Sequence, residues 1–362
     1  MKTICKCQPF FFSFPFLALS FFSIYTYSCA QEKPELNDAL KNEVITIVAD
    51  YMRQYYYDED IGKNMAAYIL DKNSKDNYDN FTDVNDFCKK LTSDLRDVCH
   101  DRHIFVFYSP EEAKEVAARN NLLPPDEIAQ INKKTYEKAR LRNFGFVKLE
   151  ILDGNVGYID LREFYNPSHA GSKAVHVMNF LSHTDAIIFD LRNNGGGSEK
   201  MVQLLSSYFF ADDRVPLSSS YYRHNNEAVQ SWTLPFVPGN KLTDVPVYIL
   251  TSKRTFSAAE EFAYNMKHLK RATIVGERTK GGAHPVEVKI VKGNILTQIS
   301  IGESFHPVTG TNWEAVGVQP HIEVSEKEAF GSAYLSALRH LRNTTTDPER
   351  KKGLSVVINN LE

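Results

Sequence analysis

Apolar residues in the first third of the chain recur at helical spacing. Val44, Val48 and Tyr55 fall near one stripe, and the same spacing continues over residues 65–70. Apolar positions three and four residues apart are typical of amphipathic helices that bury one face. A third helix is predicted over residues 83–99, followed directly by an apolar run at 104–108 that favours a strand. We therefore expect a helical domain that ends in a strand.

Beyond residue 146 the pattern changes to short apolar runs, rich in β-branched and aromatic residues, that alternate with helical stretches. The predicted elements are a hairpin at 147–161, a strand at 186–191, a helix at 199–210, a strand at 247–250, a helix from 257 to 269, a strand at 272–276, a hairpin at 286–301 and a helix at 329–341. Alternation of strands and helices is typical of a largely parallel α/β core.

The first 30 residues have the pattern of a targeting segment. Two lysines precede a Phe-rich apolar run from about residue 10 to residue 24, which is shorter than the ~20 residues that a membrane span needs. Small residues before Gln31 fit a signal peptidase site, and the same stretch loosely resembles a bacterial lipobox that would leave Cys29 lipidated. We expect export to the periplasm, the cell envelope or the exterior, with a possible lipid anchor at Cys29.

The predicted domain boundaries follow from these patterns. They are a signal peptide over 1–30, an N-terminal helical domain over 31–110 that ends in the strand bearing His103, a helical connector over 111–145, an α/β core over 146–345 and a polar C-terminal tail over 346–362. Of the 362 residues, 43% are hydrophobic, which is enough to form a sizeable core. A net charge of −3 provides no basic field for nucleic acid.

Two cysteines remain when those of the first 30 residues are set aside. Cys88 and Cys99 lie in one predicted helix, and eleven residues of helix separate them by about 16 Å, too far for a disulfide. We expect two buried free thiols. His100 and His103 follow closely, but no other His, Cys or carboxylate set completes a recognisable metal-ligand spacing. Neither a metal ion nor another cofactor is expected.

Ser257 stands where the strand at 247–250 gives way to a helix. With Glu260 three residues later, it fits the N-cap of a capping box, which is the commoner meaning of this pattern. The alternative is a nucleophile that a strand–turn–helix bend exposes above the sheet. A hydroxyl in that position lies beside free backbone N–H groups that stabilise a developing oxyanion.

A triple glycine follows the strand at 186–191. Gly195, Gly196 and Gly197 match neither the dinucleotide fingerprint nor the phosphate loop. A tight turn with left-handed backbone angles is the simpler interpretation. Glycines at this position also permit close backbone approach to an anion, at the start of a helix near Ser198. In that case the turn would supply the second half of an oxyanion hole.

Three motifs together resemble one protein family. DLRNNGGG at 190–197, TFSAAE at 255–260 and VGERT at 275–279 occur in the order and spacing of the tail-specific, or C-terminal processing, serine peptidases of family S41. The likeness covers roughly residues 40–340. It implies an α/β fold with a crotonase-like (ClpP/crotonase-type) core, an N-terminal helical domain and a serine peptidase site.

Two departures from that family indicate a subgroup. Gly282 stands where the Ser-Lys enzymes carry their lysine, and Lys280 lies two residues too early to replace it. The interval between His103 and residue 147 does not resemble a PDZ domain. Both features are similar to the branch that contains the tricorn core and the interphotoreceptor retinoid-binding protein repeats.

The resemblance implies roles for particular residues. Ser257 would be the nucleophile, His103 of the Asp-Arg-His segment the general base, and Glu314 of WEAVGVQP the acid that orients the base. The amides of Ala258 and Gly196 would bind the oxyanion, with Gly195 or Gly197 as alternatives to Gly196. Rival bases, each without the preceding Asp-x, are His284, His306 and His321.

The sequence therefore predicts an exported serine-type peptidase that acts on peptides or proteins. A second interpretation is a non-catalytic module that binds a lipid or retinoid-like ligand in the same cleft, as the retinoid-binding relatives do. Retention of the serine, the histidine and the glutamate favours the enzyme. The sequence leaves open the substrate sequence, endo- or exo-cleavage, and the oligomeric state.

Overall fold

A computed structural model describes residues 34–362, so the predicted signal peptide and the Cys29 anchor lie outside the described residues. This part of the chain forms ten α-helices and twelve strands. The helices are α1 (Asp38–Tyr55), α2 (Glu59–Ser74), α3 (Val84–Cys99), α4 (Pro110–Arg119), α5 (Pro125–Leu141), α6 (Pro167–Phe180), α7 (Glu199–Ser207), α8 (Ala258–His268), α9 (Glu326–Thr344) and α10 (Pro348–Leu361). The strands are β1 (Phe105–Tyr108), β2 (Phe146–Leu152), β3 (Val156–Leu161), β4 (Ala186–Asp190), β5 (Pro216–Tyr222), β6 (Glu227–Trp232), β7 (Val247–Thr251), β8 (Ala272–Gly276), β9 (Val286–Lys292), β10 (Ile295–Ser300), β11 (Glu303–Phe305) and β12 (Ile322–Glu323).

The N-terminal helices form as the apolar spacing predicts. Each of α1, α2 and α3 begins at an Asn or Asp whose side chain accepts from a first-turn N–H, which satisfies an otherwise unpaired donor. Val44 and Val48 belong to the buried cluster that these helices share. Cys88 is buried and Cys99 half-buried, and both are free thiols. The expectation of two buried thiols is thus correct for Cys88 and wrong for Cys99, which lies in the last turn of α3.

A six-stranded sheet in the order β12-β8-β7-β4-β3-β2 forms the centre of the core. All neighbouring strands are parallel except the β2–β3 hairpin. Every residue of β4 and β7 is buried, because helices cover both faces of the sheet. Phe189 and Ile249 pack towards α8, whereas Ile188 and Leu250 pack towards α9.

Two small antiparallel sheets attach the remaining segments. In the first, β1 pairs with β10, and β10 pairs with β9, so the N-terminal helices are joined to the core beside His103. In the second, β5 pairs with both β6 and β11. The sequence pattern did not predict β5 and β6, because their Ser- and Tyr-rich residues show little apolar alternation.

The C-terminal segment is a helix, not the polar tail that the sequence suggested. Helix α10 has Asp347 as its N-cap and packs against α9. Leu354 and Ile358 are its buried residues. Two apolar positions four residues apart suffice to dock a helix whose other positions are polar, and this pattern is too sparse to stand out in the sequence.

Candidate active site

Ser257 occupies the joint between β7 and α8 in an unusual backbone conformation. Its φ is 54° and its ψ is −126°, a combination that costs energy for a residue with a Cβ and occurs preferentially at functional sites. Surrounding hydrogen bonds hold the joint in place: Phe256 N–H donates to Asn194 O at 3.1 Å, and Thr255 Oγ1 donates to Leu191 O at 2.8 Å. The predicted position of Ser257 as N-cap of α8 is confirmed.

Glu260 ties this joint to the segment at 279–282. Its carboxylate accepts from the N–H groups of Ser257 (2.9 Å), Gly281 (2.6 Å) and Gly282 (2.9 Å), and from Thr279 Oγ1 (2.5 Å). The side chain is fully buried, and burial raises its pKa to about 7 despite these four donors. The glutamate predicted as part of a capping box thus also positions Ser257.

The glycine turn lies directly against Ser257. A Cβ on Gly196, whose φ is 109°, would lie 2.7 Å from Ser257 Cβ and 3.1 Å from Ala258 N, so only glycine fits. However, Gly196 N–H donates to Asn194 Oδ1 at 2.8 Å. The amide that the sequence favoured for the oxyanion hole is therefore engaged. Gly197 is the neighbour that lines the cavity in front of Ser257.

His103 lies beside the nucleophile joint and is 2% exposed. Its ring packs on Phe256 with centroids 4.5 Å apart. Asp101 Oδ1 accepts from His103 N–H at 2.7 Å and lies 3.9 Å from His103 Nδ1. Within residues 34–362, neither imidazole nitrogen has a hydrogen-bond partner. Burial lowers the pKa of His103 to about 4, although the Asp101 carboxylate opposes the shift. His103 is therefore neutral at physiological pH.

Glu314 contacts a different histidine from the one predicted. Its Oε2 lies 3.7 Å from His284 Nε2 and accepts from Ala283 N–H at 2.6 Å. His284 is buried and stacks on Tyr57 with ring centroids 3.9 Å apart. Burial raises the pKa of Glu314 to about 7. The predicted hydrogen bond between Glu314 and His103 is not formed, since neither nitrogen of His103 has a partner within residues 34–362 and Glu314 lies beside His284 instead.

The two histidines nevertheless belong to one buried group. A Cβ on Gly282 would lie 2.7 Å from His103 Cε1, and His284 follows two residues later. The charge of a protonated His284 lowers the pKa of His103. Asp101 in turn favours the protonated form of both imidazoles.

The other rival bases have structural surroundings. His306 is buried among aromatic rings, with Tyr264 and His268 at centroid distances of 5.5 Å and 5.6 Å. His321 Nδ1 accepts from Ile274 N–H at 2.9 Å at the edge of the sheet. Lys280 Nζ lies over the Phe256 ring, 4.4 Å from its centroid, in a cation–π contact.

Ser257 opens onto a cavity of about 330 Å³. Gly197, Ala258, His284 and Trp313 also line it. In residues 34–362 no group of three or more His, Cys, Asp or Glu side chains is arranged to hold a metal ion. Nor does any helix in this part of the chain have the length and apolarity to cross a membrane.

Two further carboxylates on the cavity wall, Glu199 and Glu261, were not recognised as a pair in the sequence. They lie 62 positions apart in the sequence numbering and on different helices, α7 and α8. Only the closeness of the two helix N-termini in the fold brings them to one wall. No local motif signals this.

Comparisons with known proteins agree with this architecture. The family model "Peptidase family S41" matches residues 155–324, and the model "N-terminal domain of Peptidase_S41 in eukaryotic IRBP" matches residues 28–143. The N-terminal model covers the helical part of the chain, and the other model covers the α/β core.

Individual relatives are more distant. A carboxyl-terminal-processing protease of Synechocystis sp. is 35% identical over 130 residues, which are 35% of this chain and 28% of that protein. The chain thus spans less than a third of the length of the Synechocystis and Picosynechococcus proteases that it resembles.

Solved structures share the fold at low identity. A lipoprotein from Streptococcus agalactiae has a TM-score of 0.55 and 13% identity, covering 85% of this chain and 98% of its own. The tricorn protease has a TM-score of 0.50 and 12% identity, covering 89% of this chain and 37% of its own. The likeness to these structures concerns the fold. The two family models, which together match residues 28–143 and 155–324, show that the chain belongs to peptidase family S41.

Proposed function

We propose that the chain is a serine peptidase in which Ser257 attacks the peptide carbonyl. The observation that carries the proposal is the position of Ser257 on a strained joint at the N-terminus of α8, facing a cavity of about 330 Å³. A serine placed only to cap a helix needs neither the positive φ nor the cavity. The carboxyl-terminal-processing relative and the family match support the same reaction.

His103 is our candidate for the general base. With its pKa lowered to about 4 by burial, it is neutral near pH 7 and free to accept the Ser257 proton as Oγ bonds to the carbonyl carbon. The resulting imidazolium then gives the proton to the leaving amine, which breaks the C–N bond and leaves an acyl-enzyme. Water releases the acyl group by the same steps in reverse. Asp101, 3.9 Å from Nδ1, would stabilise the transient imidazolium.

Backbone amides would bind the oxyanion of the tetrahedral intermediate. Ala258 is the first residue of α8, so its N–H has no partner within the helix. Because Gly196 N–H is engaged by Asn194, we propose Gly197 as the second donor. Each such donor is typically worth about 3 kcal/mol in the transition state.

Glu314 would act on the histidine pair through His284, 3.7 Å away. An ionised carboxylate there stabilises positive charge that develops on the neighbouring imidazoles. This role replaces the direct hydrogen bond to His103 that the sequence suggested. It makes Glu314 a supporting residue.

We also propose that the protein is exported. The lysines, the apolar run and the small residues before Gln31 support a signal peptide, and Cys29 supports a lipid anchor. Mass spectrometry of the N-terminus of protein purified from its host distinguishes a lipidated Cys29, a free Gln31 and an intact Met1. The last outcome contradicts export.

Cleavage of a diverse peptide library by wild type and by Ser257→Ala tests the peptidase. Ser325 offers a matched control, since it is also the N-cap of a helix with a capping-box glutamate. Both substitutions should cost about 1 kcal/mol of stability, as expected for a lost N-cap. Only Ser257→Ala should abolish cleavage. Wild-type protein that cleaves no peptide and binds an apolar ligand instead would favour the non-catalytic module.

A further inference from the structure

Two carboxylates that the proposed mechanism does not use line the cavity in front of Ser257. Glu261 lies in the first turn of α8 and is 5% exposed. Glu199 begins α7 and lies at a more exposed end of the wall. Burial raises the pKa of Glu261, and the negative charge of Glu199 raises it further. The wall therefore carries two acidic groups that repel each other.

Glu261 has unusually few partners for a buried carboxylate. Elsewhere in the fold, buried Asp94 has two lysine ammonium groups within 3.2 Å and a tyrosine hydroxyl at 2.9 Å. Glu261 accepts from Ser218 Oγ at 3.2 Å, and no Lys or Arg among residues 34–362 forms an ion pair with it or with Glu199. Even Lys200, which lines the same cavity, is not among their ion-pair partners. Burying a carboxylate without a cation is costly.

Unused hydrogen-bonding capacity surrounds the same site. His284, 5% exposed, lines the cavity, and its Nδ1 has no hydrogen-bond partner among the described residues. Buried polar groups are normally paired. The unpartnered imidazole nitrogen favours a polar ligand in the cavity, and the carboxylates without a cation favour a positively charged one.

The distance from Ser257 fixes which part of a substrate would reach the acids. Ser257 is the N-cap of α8, and the N–H of Glu261 donates to Ser257 O at 2.9 Å. The two residues are therefore separated by about one helical turn, roughly 6 Å along the helix axis. The carbon attacked by Ser257 is bonded to the Cα of the residue on the N-terminal side of the cleaved bond. The flexible four-carbon stem of a lysine, or the longer arm of an arginine, spans a comparable distance from that Cα.

We propose that Glu261 and Glu199 form a subsite for the Lys or Arg side chain that precedes the cleaved bond. The proposal rests on the peptidase function above and adds a substrate class to it. A bound ammonium or guanidinium group supplies the cation that Glu261 lacks within the described chain. An uncharged side chain of the same size leaves the two carboxylates facing each other.

Two peptides that differ only at this residue, lysine against norleucine, test the subsite. Wild type should cleave the lysine peptide at least 10-fold faster in kcat/KM, and Glu261→Gln should remove that preference while cleavage of the norleucine peptide continues. Glu303→Gln is the matched control, because Glu303 precedes the cavity residue Ser304 on β11 but does not line the cavity itself. It should leave the preference unchanged. Equal cleavage of both peptides by wild type, or a preference that survives in Glu261→Gln, would overturn the proposal.

A binding measurement separates this proposal from the peptidase function. The Ser257→Ala protein should bind the lysine peptide at least 10-fold more tightly than the norleucine peptide, and Ser257→Ala/Glu261→Gln should bind both equally. If the melting curve shows that Glu261→Gln fails to fold, Glu199→Gln at the exposed end of the wall provides the same test. It should cause a smaller loss of the preference for the lysine peptide. Lysine-selective binding without cleavage overturns the peptidase and keeps the subsite. Cleavage without selectivity for the lysine peptide keeps the peptidase function and overturns the subsite.

Discussion

The two sides of the candidate active site are held in opposite ways. On the side of Ser257, Glu260 accepts four hydrogen bonds that fix this residue and the segment at 279–282. On the histidine side, both nitrogens of His103 and the Nδ1 of His284 are buried without a hydrogen-bond partner in the described residues. The positions of Ser257 and of the nearby backbone amides are thus fixed by hydrogen bonds within the fold, whereas these imidazole nitrogens have unused hydrogen-bonding capacity.

This difference matches the chemical demands on each side. Amides that stabilise an oxyanion act best when they are fixed before the reaction, because no energy is then spent on reorganisation. A general base has to exchange a proton with the nucleophile and the leaving group, and its hydrogen bonds often tighten only in the substrate complex. The following predictions test this contrast, from the largest expected effect to the smallest.

Loss of the proposed base should give the largest effect on activity. His103→Ala should lower kcat by roughly 10²–10⁴-fold, the usual contribution of general acid–base catalysis, while the melting temperature shows that the protein is folded. His284→Ala is the comparison, because it removes the imidazole beside Glu314 and leaves His103 in place. A smaller loss is expected. If His284→Ala is the more damaging change, the assignment of the base is wrong.

Removal of the Glu260 carboxylate should give the largest effect on stability. Glu260→Ala leaves the buried N–H groups of Ser257, Gly281 and Gly282 without their acceptor, so we expect a loss of about 3–5 kcal/mol in the free energy of unfolding. Glu328→Ala is the matched control, since Glu328 is the glutamate of the α9 capping box and is exposed. It should cost about 1 kcal/mol or less. Urea denaturation measures both values, and equal losses would contradict the special role of Glu260.

An added methyl group should have very different effects at two glycines of the turn, Gly196 and Gly195. Gly196→Ala places a Cβ 2.7 Å from Ser257 Cβ at a φ of 109°, so it should cost about 1–3 kcal/mol of stability and reduce kcat. At Gly195, a Cβ meets no atom within 4 Å. Gly195→Ala should therefore be close to wild type in melting and in peptide cleavage. A large effect at Gly195 with none at Gly196 would contradict the close approach of the turn to the nucleophile.

The pH dependence of kcat/KM should reveal the ionisation of Glu314, the carboxylate beside the histidines. Burial raises the pKa of Glu314 to about 7, and the pKa of His103 is lowered to about 4. If ionised Glu314 supports catalysis, kcat/KM should rise through about pH 7. In Glu314→Gln this limb should vanish, which leaves a lower plateau that falls only near pH 4, where His103 gains its proton. A limb near pH 7 that persists in Glu314→Gln contradicts this role.

The protonation of Glu314 should also change the stability of the protein, and the raised pKa determines the direction of that change. A raised pKa means that folded Glu314 holds a proton that the unfolded chain has released, so its contribution to stability is complete below the ordinary pKa and is lost as the pH rises through about 7. Melting curves of wild type should therefore show a larger loss between about pH 5 and about pH 8 than those of Glu314→Gln. Equal losses would indicate that Glu314 is not buried as described.

The sequence was sufficient for the parts of the fold that depend on local pattern. Strands such as β4 and β7 are continuous apolar runs, and Ser257 stands at a strand–helix joint with a capping glutamate. These features depend on residues within a few positions of each other. The same holds for the three predicted N-terminal helices, whose caps and apolar stripes are complete within each segment.

Features that depend on distant contacts were missed or misassigned. The Gly196 N–H donates to Asn194 Oδ1 in a turn whose geometry is not evident from the amino-acid sequence. Glu314 lies 3.7 Å from His284 Nε2, whereas neither nitrogen of His103 has a hydrogen-bond partner in the described residues. Glu199 and Glu261 come from separate helices that share a wall only after folding. A spacing along the chain predicts which residues share an element, but it does not determine which of two nearby histidines a carboxylate contacts.

The central claim is that Ser257 is a nucleophile activated by His103. Incubation with a fluorophosphonate, which reacts covalently with activated serines, followed by mass spectrometry of the digested protein, tests it most directly. We predict stoichiometric labelling of Ser257 in wild type, labelling that is at least 100-fold slower in His103→Ala in line with the roughly 10²–10⁴-fold worth of a general base, and unchanged labelling in Ser325→Ala. An unlabelled Ser257 in folded wild-type protein, or labelling that is equally fast in His103→Ala, would contradict the account.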